Sequence, residues 1–136
     1  MIKELSLEVI TPSKSAFKGN VVSVSVPGTQ GAFQVLFNHV PIMSTFEIGK
    51  IKIIDPGQNE IEYCTGGGYI EVLANKILIM AESFEHPDEI DFERAKKAEE
   101  RARGRLTARN SDIDIHRAEM SLQRSINRQK LYSKFH

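Results

Sequence analysis

Apolar and polar residues alternate through the first part of the chain. Leu5, Leu7 and Val9 are separated by Ser6 and Glu8, and Val22, Val24 and Val26 by Ser23 and Ser25. Successive side chains of a strand point to opposite faces, so a period of two buries one face and wets the other. The segments Phe33 to Phe37, Lys50 to Ile54, Glu60 to Cys64, Tyr69 to Leu73 and Ile77 to Ala81 continue the series. Turn signals stand between them: Thr11-Pro12, Pro27-Gly28, Asp55-Pro56-Gly57 and Asn75-Lys76. Many short strands punctuated in this way predict a mainly β domain, an antiparallel β-sandwich or flattened barrel of about ten short strands whose two inner faces form one core.

Beyond Pro87 the period changes to that of a helix. Asp88 is a candidate N-cap, its carboxylate placed to accept from backbone N–H groups of the first turn. Phe92, Ala95, Ala98, Ala102 and Leu106 then share one face. A break at Thr107 to Ser111 and a second candidate cap, Asp112, precede a second stripe of Ile115, Ala118, Leu122 and Ile126. The short connection predicts an antiparallel two-helix hairpin. The expected division is thus a β-sandwich over 1–86 and a helical hairpin over 87–136.

The predicted seam is rich in alanine, which bears on mobility. A buried Leu or Ile contributes roughly 1.5 to 3 kcal/mol and an Ala methyl only about 0.8. Gly104, within the first helix, adds about 1 kcal/mol of cost relative to Ala. A hairpin so loosely committed to one arrangement is expected to move.

Composition supports the same division. The formal net charge of the 136 residues is zero, but residues 1–86 hold six Lys, no Arg and nine carboxylates, while residues 87–136 hold eight Arg, four Lys and nine carboxylates. Eight of the nine glycines precede Pro87, and no proline follows it. No apolar run approaches the roughly 18 residues of a membrane-spanning helix, and the opening residues enter the alternating pattern directly, so the expected location is cytosolic or membrane-peripheral. Cys64, the single cysteine, excludes an internal disulfide and reads as a core residue.

Candidate chemistry is sparse. His39, His86, His116 and His136 lack metal-ligand spacing. Gly66-Gly67-Gly68 is followed by a strand and by no Lys-Ser or Lys-Thr, which suits a tight turn or close backbone packing better than a phosphate loop. No nucleophile or acid accompanies Asn38-His39-Val40-Pro41, and no catalytic constellation emerges. The arginines say more. Arg94, Arg101 and Arg105 are spaced i, i+7, i+11, and Arg117, Arg124 and Arg128 repeat that spacing on the second helix. Such stripes are open to three readings: solvated faces, docking on an acidic partner, or closure around a phosphate, since guanidinium forks match carboxylates and phosphates. Nucleic acid is disfavoured by interspersed Glu93, Glu99, Glu100 and Glu119 and by the zero net charge.

Several motifs occur in an order that carries a resemblance. Val26-Pro27-Gly28-Thr29-Gln30-Gly31 followed by Asn38-His39-Val40-Pro41 resembles the P-G-x-x-G and G-H-x-P signatures of the epsilon-subunit family of bacterial F-type ATP synthases. Gly66 to Val72 is similar to that family's G-G strand, and Ile90-Asp91-Phe92-Glu93-Arg94-Ala95 to its helix-opening motif. The likeness covers nearly the whole chain. Gln34 stands where the family often has Gly, and Phe37-Asn38 replaces the usual Pro-Gly before the His.

The resemblance implies a non-catalytic central-stalk subunit on the cytoplasmic face of the inner membrane, with the sandwich against the gamma subunit and the c-ring. Gly28, Thr29, Gln30, Gly31, Ala32 and His39 are the positions it places at those partners. It implies a hairpin that moves between a folded and an extended state, the extended one inhibiting ATP hydrolysis. Arg117, Arg124 and Arg128 would then meet acidic segments of the alpha or beta subunits. No cofactor is required. Some relatives bind regulatory ATP, and the matching positions are Ile90, Asp91, Arg94, Ala95, Arg101, Arg124 and Arg128. A free-standing ATP-sensing protein using the same hairpin is the alternative.

Overall fold

The computed structural model describes residues 3–108 and 112–136, the side chains of residues 112 and 113 excepted. The chain divides into two compact units, one ending at Phe84 and the other running from Glu85 to His136.

The first unit is a sandwich of two five-stranded sheets. One sheet has the order β2 (Ser15–Val21), β1 (Leu5–Ile10), β9 (Lys76–Ala81), β8 (Gly68–Leu73), β5 (Ile42–Phe46). The other has β10 (Phe84–Glu85), β7 (Glu60–Thr65), β6 (Gly49–Ile54), β3 (Ser23–Val26), β4 (Phe33–Val35). Leu7, Val9, Ile70 and Ile79 from the first sheet and Val24, Val35, Ile51 and Ile53 from the second are fully enclosed. Each such side chain contributes roughly 1.5 to 3 kcal/mol by leaving water. Tyr63 stacks on Phe84 at 4.1 Å between ring centroids and meets the edge of Phe17 at 6.4 Å.

The sandwich departs from the sequence reading at three places. First, β1 and β9 pair in parallel, Leu7 beside Ile77 and Val9 beside Ile79. Hairpin-joined neighbours must run antiparallel, but these strands are separated by most of the unit, so core burial fixes their register without fixing that direction. Second, Ser15–Val21 and Ile42–Phe46 are strands although their patterns are weak. On the inner face Gly19 stands opposite Leu7 and Ser44 opposite Ile70, which interrupts the apolar period. Third, Val22 lies outside β3, while Ser23 is buried and its Oγ accepts from Gln34 Nε2 at 2.7 Å.

Left-handed backbone positions explain two sequence features. Ala74 (φ 52°) and Asn75 (φ 62°) form the two-residue turn between β8 and β9. Asn38 has φ 62°, so it takes the conformation for which glycine is the default. Its departure from the usual Pro-Gly is supported by Asn75: Asn38 N donates to Asn75 Oδ1 at 2.7 Å, and Asn75 Nδ2 donates to Asn38 Oδ1 at 3.2 Å. The glycine run is a close backbone approach. Gly67 has φ 99°, and a Cβ on Gly68 would lie 2.0 Å from the Met80 carbonyl oxygen.

The second unit opens with a 3₁₀ turn, Pro87–Glu89. Its N-cap is His86, not Asp88: His86 Nδ1 accepts from Asp88 N at 3.1 Å, and Glu89 Oε1 accepts from His86 N at 3.1 Å. Ile90 is extended, and α1 (Phe92–Ala108) begins two residues later. Asp91 supplies the cap there, Oδ1 accepting from Arg94 N at 3.0 Å. Helix α2 spans Asp112–Phe135. Thr107 and Ala108 are still helical, the Thr107 hydroxyl donating to Arg103 O, while residues 109–111 of the expected break and the side chain of Asp112, the second expected cap, lie outside the described residues.

The helices pack antiparallel, Phe92 at the start of α1 lying 5.1 Å from Tyr132 near the end of α2. Ala95, Ala102, Ala118 and Ser125 are buried in the seam, and Phe92, Leu106, Leu122 and Ile126 are only half-buried. Ser125 is hidden because it lies seven residues after Ala118, and its Oγ is satisfied by donating to Leu122 O at 2.9 Å. Among the described residues, no helix is long and apolar enough to cross a membrane.

Candidate anion site in the helical hairpin

The cap at Asp91 sets the rotational phase of α1. From it Arg94 and Arg101, seven residues apart, reach the same side, with Ala95 and Ala98 leaving space between them. On α2, Ser121, Arg124 and Arg128 occupy successive turns facing them. The result is a cavity of about 420 Å³ lined by these residues and by Glu85, Glu89 and Asp91. That volume is within the ordinary range for a small-molecule site.

Four guanidinium groups thus meet three carboxylates. Arg128 is held to Glu85, its Nε donating to Oε1 at 2.7 Å with both side chains about 30% exposed. The contact uses the side of the guanidinium fork and leaves the terminal nitrogens for another acceptor. Asp91 accepts from backbone and Glu89 from His86 N, so these carboxylates brace the mouth of the hairpin as well as facing the cavity. Such a surface suits an anionic group bridging two helices, attached to a moiety that offers hydrogen-bond donors to the acidic end.

Of the seven positions anticipated for ATP, Asp91, Arg94, Ala95, Arg101, Arg124 and Arg128 line one cavity. Ile90 is buried beside it and does not line it. Glu85, Glu89, Ala98 and Ser121 were not anticipated. Ala98 and Ser121 share the helical phase of Arg101 and Arg124, each three residues before its arginine, so spacing could have found them. Glu85 stands 43 positions from Arg128, and no local pattern signals it. Arg117, the third arginine of its stripe, is exposed and lies outside the cavity.

The anticipated partner-facing residues lie in the sandwich. Gly28 is buried, and a Cβ there would lie 2.6 Å from Gly31 O and 2.9 Å from the Phe33 ring. Gly31 has φ 127° and donates to Gly28 O, while Thr29 N donates to Thr45 O at 3.0 Å. This turn presents Thr29, Gln30, Gly31 and Ala32 to solvent. His39 is half-buried, its Nδ1 donating to Val40 O at 2.7 Å. Near it along the chain, Leu36, Val40 and Met43 are exposed by 48%, 70% and 68%. Among the described residues, no group of three His, Cys, Asp or Glu is arranged to hold a metal ion.

Comparison with known proteins agrees with both units. Residues 4–87 match the family model of the ATP synthase delta/epsilon chain β-sandwich domain, and residues 88–131 that of its long α-helix domain. The chain is 36% identical over 130 residues to the ATP synthase epsilon chain of Desulforamulus reducens, covering 96% of this chain and 98% of the relative. It is 35% identical over 127 residues to that of Bacillus velezensis, covering 93% and 96% respectively. A chain of the Euglena gracilis mitochondrial ATP synthase shares the fold, with a TM-score of 0.80 at 19% identity over 98% of this chain and 82% of that one. The two-part architecture, the motif order and these full-length likenesses together show that the chain belongs to the ATP synthase delta/epsilon chain family, a family of non-catalytic subunits.

Proposed function

We propose that this chain is a central-stalk subunit of a rotary F-type ATP synthase, whose hairpin closes over ATP and, when open, restrains ATP hydrolysis by the complex. The observation that carries the hairpin's role is the convergence of Arg94 and Arg101 from one helix and Arg124 and Arg128 from the other on a single cavity. A polyphosphate held by both pairs would bind only the closed hairpin. It would therefore draw the population toward closure, with an apparent affinity reduced by the fraction of chains that are closed beforehand. The small-residue seam makes that equilibrium responsive, because Ala95, Ala102, Ala118 and Ser125 bury little apolar surface and, among the described residues of the two helices, Leu131 alone adds a large buried side chain.

The stalk role rests on family membership. It is supported by the exposed turn at Thr29–Ala32 and by the apolar surface of Leu36, Val40 and Met43, which offer contacts for gamma and for the c-ring. Relatives carry the name ATP synthase epsilon chain, and a Tetrahymena thermophila structure of similar fold is described as central stalk and c-ring. Association with the membrane would then come through the complex.

Two experiments test the proposal. Calorimetric titration with ATP should show binding to the wild type and affinity at least about tenfold weaker for Arg94→Ala and Arg124→Ala. Identical titrations would remove ATP from the cavity. Co-purification with gamma tests the stalk role, and a chain that gamma fails to retain overturns it.

A further inference from the structure

Across the seam from the arginine cavity, the hairpin carries a polar contact of a different kind. Glu99 on α1 uses both carboxylate oxygens: Oε2 accepts from Arg103 Nε at 2.8 Å and Oε1 accepts from Gln129 Nε2 on α2 at 2.7 Å. Gln129 Nε2 also reaches Ser125 O at 3.3 Å. Each partner is thus fixed to its own helix before it meets the other. We infer that the Glu99–Gln129 bond is a latch that sets the rotation and axial offset of α1 against α2, and so positions the arginines of both helices around the cavity.

The physical case begins with what the seam lacks. Ala95, Ala102, Ala118 and Ser125 allow close approach, but none is a large knob that fills a hole in the facing helix. The large apolar contacts sit at the end away from the connection, where Leu131 is buried and Phe92 meets Tyr132, so along the small-residue stretch sliding or rotating the helices disturbs little packing. A short bond to an ionised carboxylate is roughly twice as strong as a neutral one and directional. Its donors hold the Glu99 carboxyl below the usual range, Gln129 first and Arg103 second, so it is ionised at neutral pH. The helical phase completes the case. Glu99 and Gln129 flank the seam on one side, and Arg94, Arg101, Arg124 and Arg128 flank it on the other.

This inference rests on the reading of the cavity as an ATP site, and the test separates the two. The intact chain is titrated with ATP as wild type, Arg124→Ala, Glu99→Ala, Gln129→Ala, the double alanine variant and Glu99→Gln, with helix content followed by far-UV circular dichroism. The latch predicts affinity about three- to tenfold weaker in each single alanine variant with helix content retained, and no further loss in the double variant. Glu99→Gln, whose amide oxygen can still accept from Gln129, stays within about twofold of wild type. Full wild-type affinity in Glu99→Ala and Gln129→Ala, with Arg124→Ala weakened, overturns the latch and leaves the cavity reading intact. Lost helix content in the alanine variants together with weak binding by a fully helical Glu99→Gln also overturns it. No wild-type binding, or an Arg124→Ala titration like wild type, overturns the cavity reading and the latch with it.

Discussion

Arg128 reaches back 43 positions in sequence to Glu85, its Nε donating to the carboxylate at 2.7 Å. The bond ties the C-terminal half of α2 to the segment that leads into the hairpin, with the guanidinium lining the cavity it shares with Arg94, Arg101 and Arg124. A lysine could not do both, since a single ammonium has no separate edge to give to Glu85.

Arg128→Lys is therefore expected to keep the positive charge and lose the geometry. Stability should fall by no more than about 1 kcal/mol, as for other partly exposed ion pairs. ATP affinity should fall about tenfold, because the fork is lost from the phosphate. Thermal unfolding and calorimetric titration read the two separately. A variant that binds ATP as tightly as wild type sinks the orienting role.

Ala74 sits at φ 52° with a side chain that gains nothing there. Ala74→Gly should raise stability by about 0.5 to 1 kcal/mol, the relief of left-handed strain exceeding the added entropy of the unfolded chain. Asn75→Gly, at φ 62°, should instead lower it by roughly 1 to 2 kcal/mol, because both hydrogen bonds to Asn38 disappear. Urea titration of both variants checks the opposite signs.

Gly68 has no room for a side chain. Its Cβ would meet the backbone of Met80 and Ala81, which cannot rotate away as a side chain would. Gly68→Ala is expected to cost on the order of 3 kcal/mol or more. Gly104→Ala, with open space around it on α1, should stabilise by about 1 kcal/mol. Midpoints of urea unfolding measure both, and a neutral Gly68→Ala would show that β8 and β9 lie further apart.

Acid should weaken both units through identifiable carboxylates. Backbone N–H donation from Asn59 lowers the pKa of Asp55 in its turn, and the Gln129 amide, followed by Arg103, lowers that of Glu99. A carboxyl depressed on folding binds fewer protons in the folded than in the unfolded state. Its stabilising contribution is full above the ordinary carboxylate range of about 4 and is lost as pH falls through the folded value. Unfolding free energies measured from pH 6 to pH 3 should decline, and Glu99→Gln and Asp55→Asn should each flatten part of that decline. A slope unchanged in both variants contradicts the assignment.

The legible parts of this protein were those in which one element's pattern is sufficient. Alternation at Leu5, Leu7 and Val9 specified a half-buried strand, and the i, i+7 spacing of Arg94 with Arg101 specified one helix face. Ser15–Val21 was illegible because the inner-face position of Gly19 is filled by the neighbouring Phe17 ring, 3.7 Å from where its Cβ would be. Asp88 was a plausible cap by type, but the Pro87–Glu89 turn ends in extended Ile90, which moves the cap to Asp91 and the start of the helix to Phe92.

By itself the sequence determined the two-part division, the alternating core positions and the arginine stripes, because periodicity and composition act within a few residues along the chain. Tertiary structure alone decided the parallel pairing of β1 with β9, the Asn38–Asn75 exchange, and the union of Glu85 and Glu99 with their partners on α2. These relationships join residues far apart in the chain, whose meeting depends on how whole elements pack, and no local pattern records that distance.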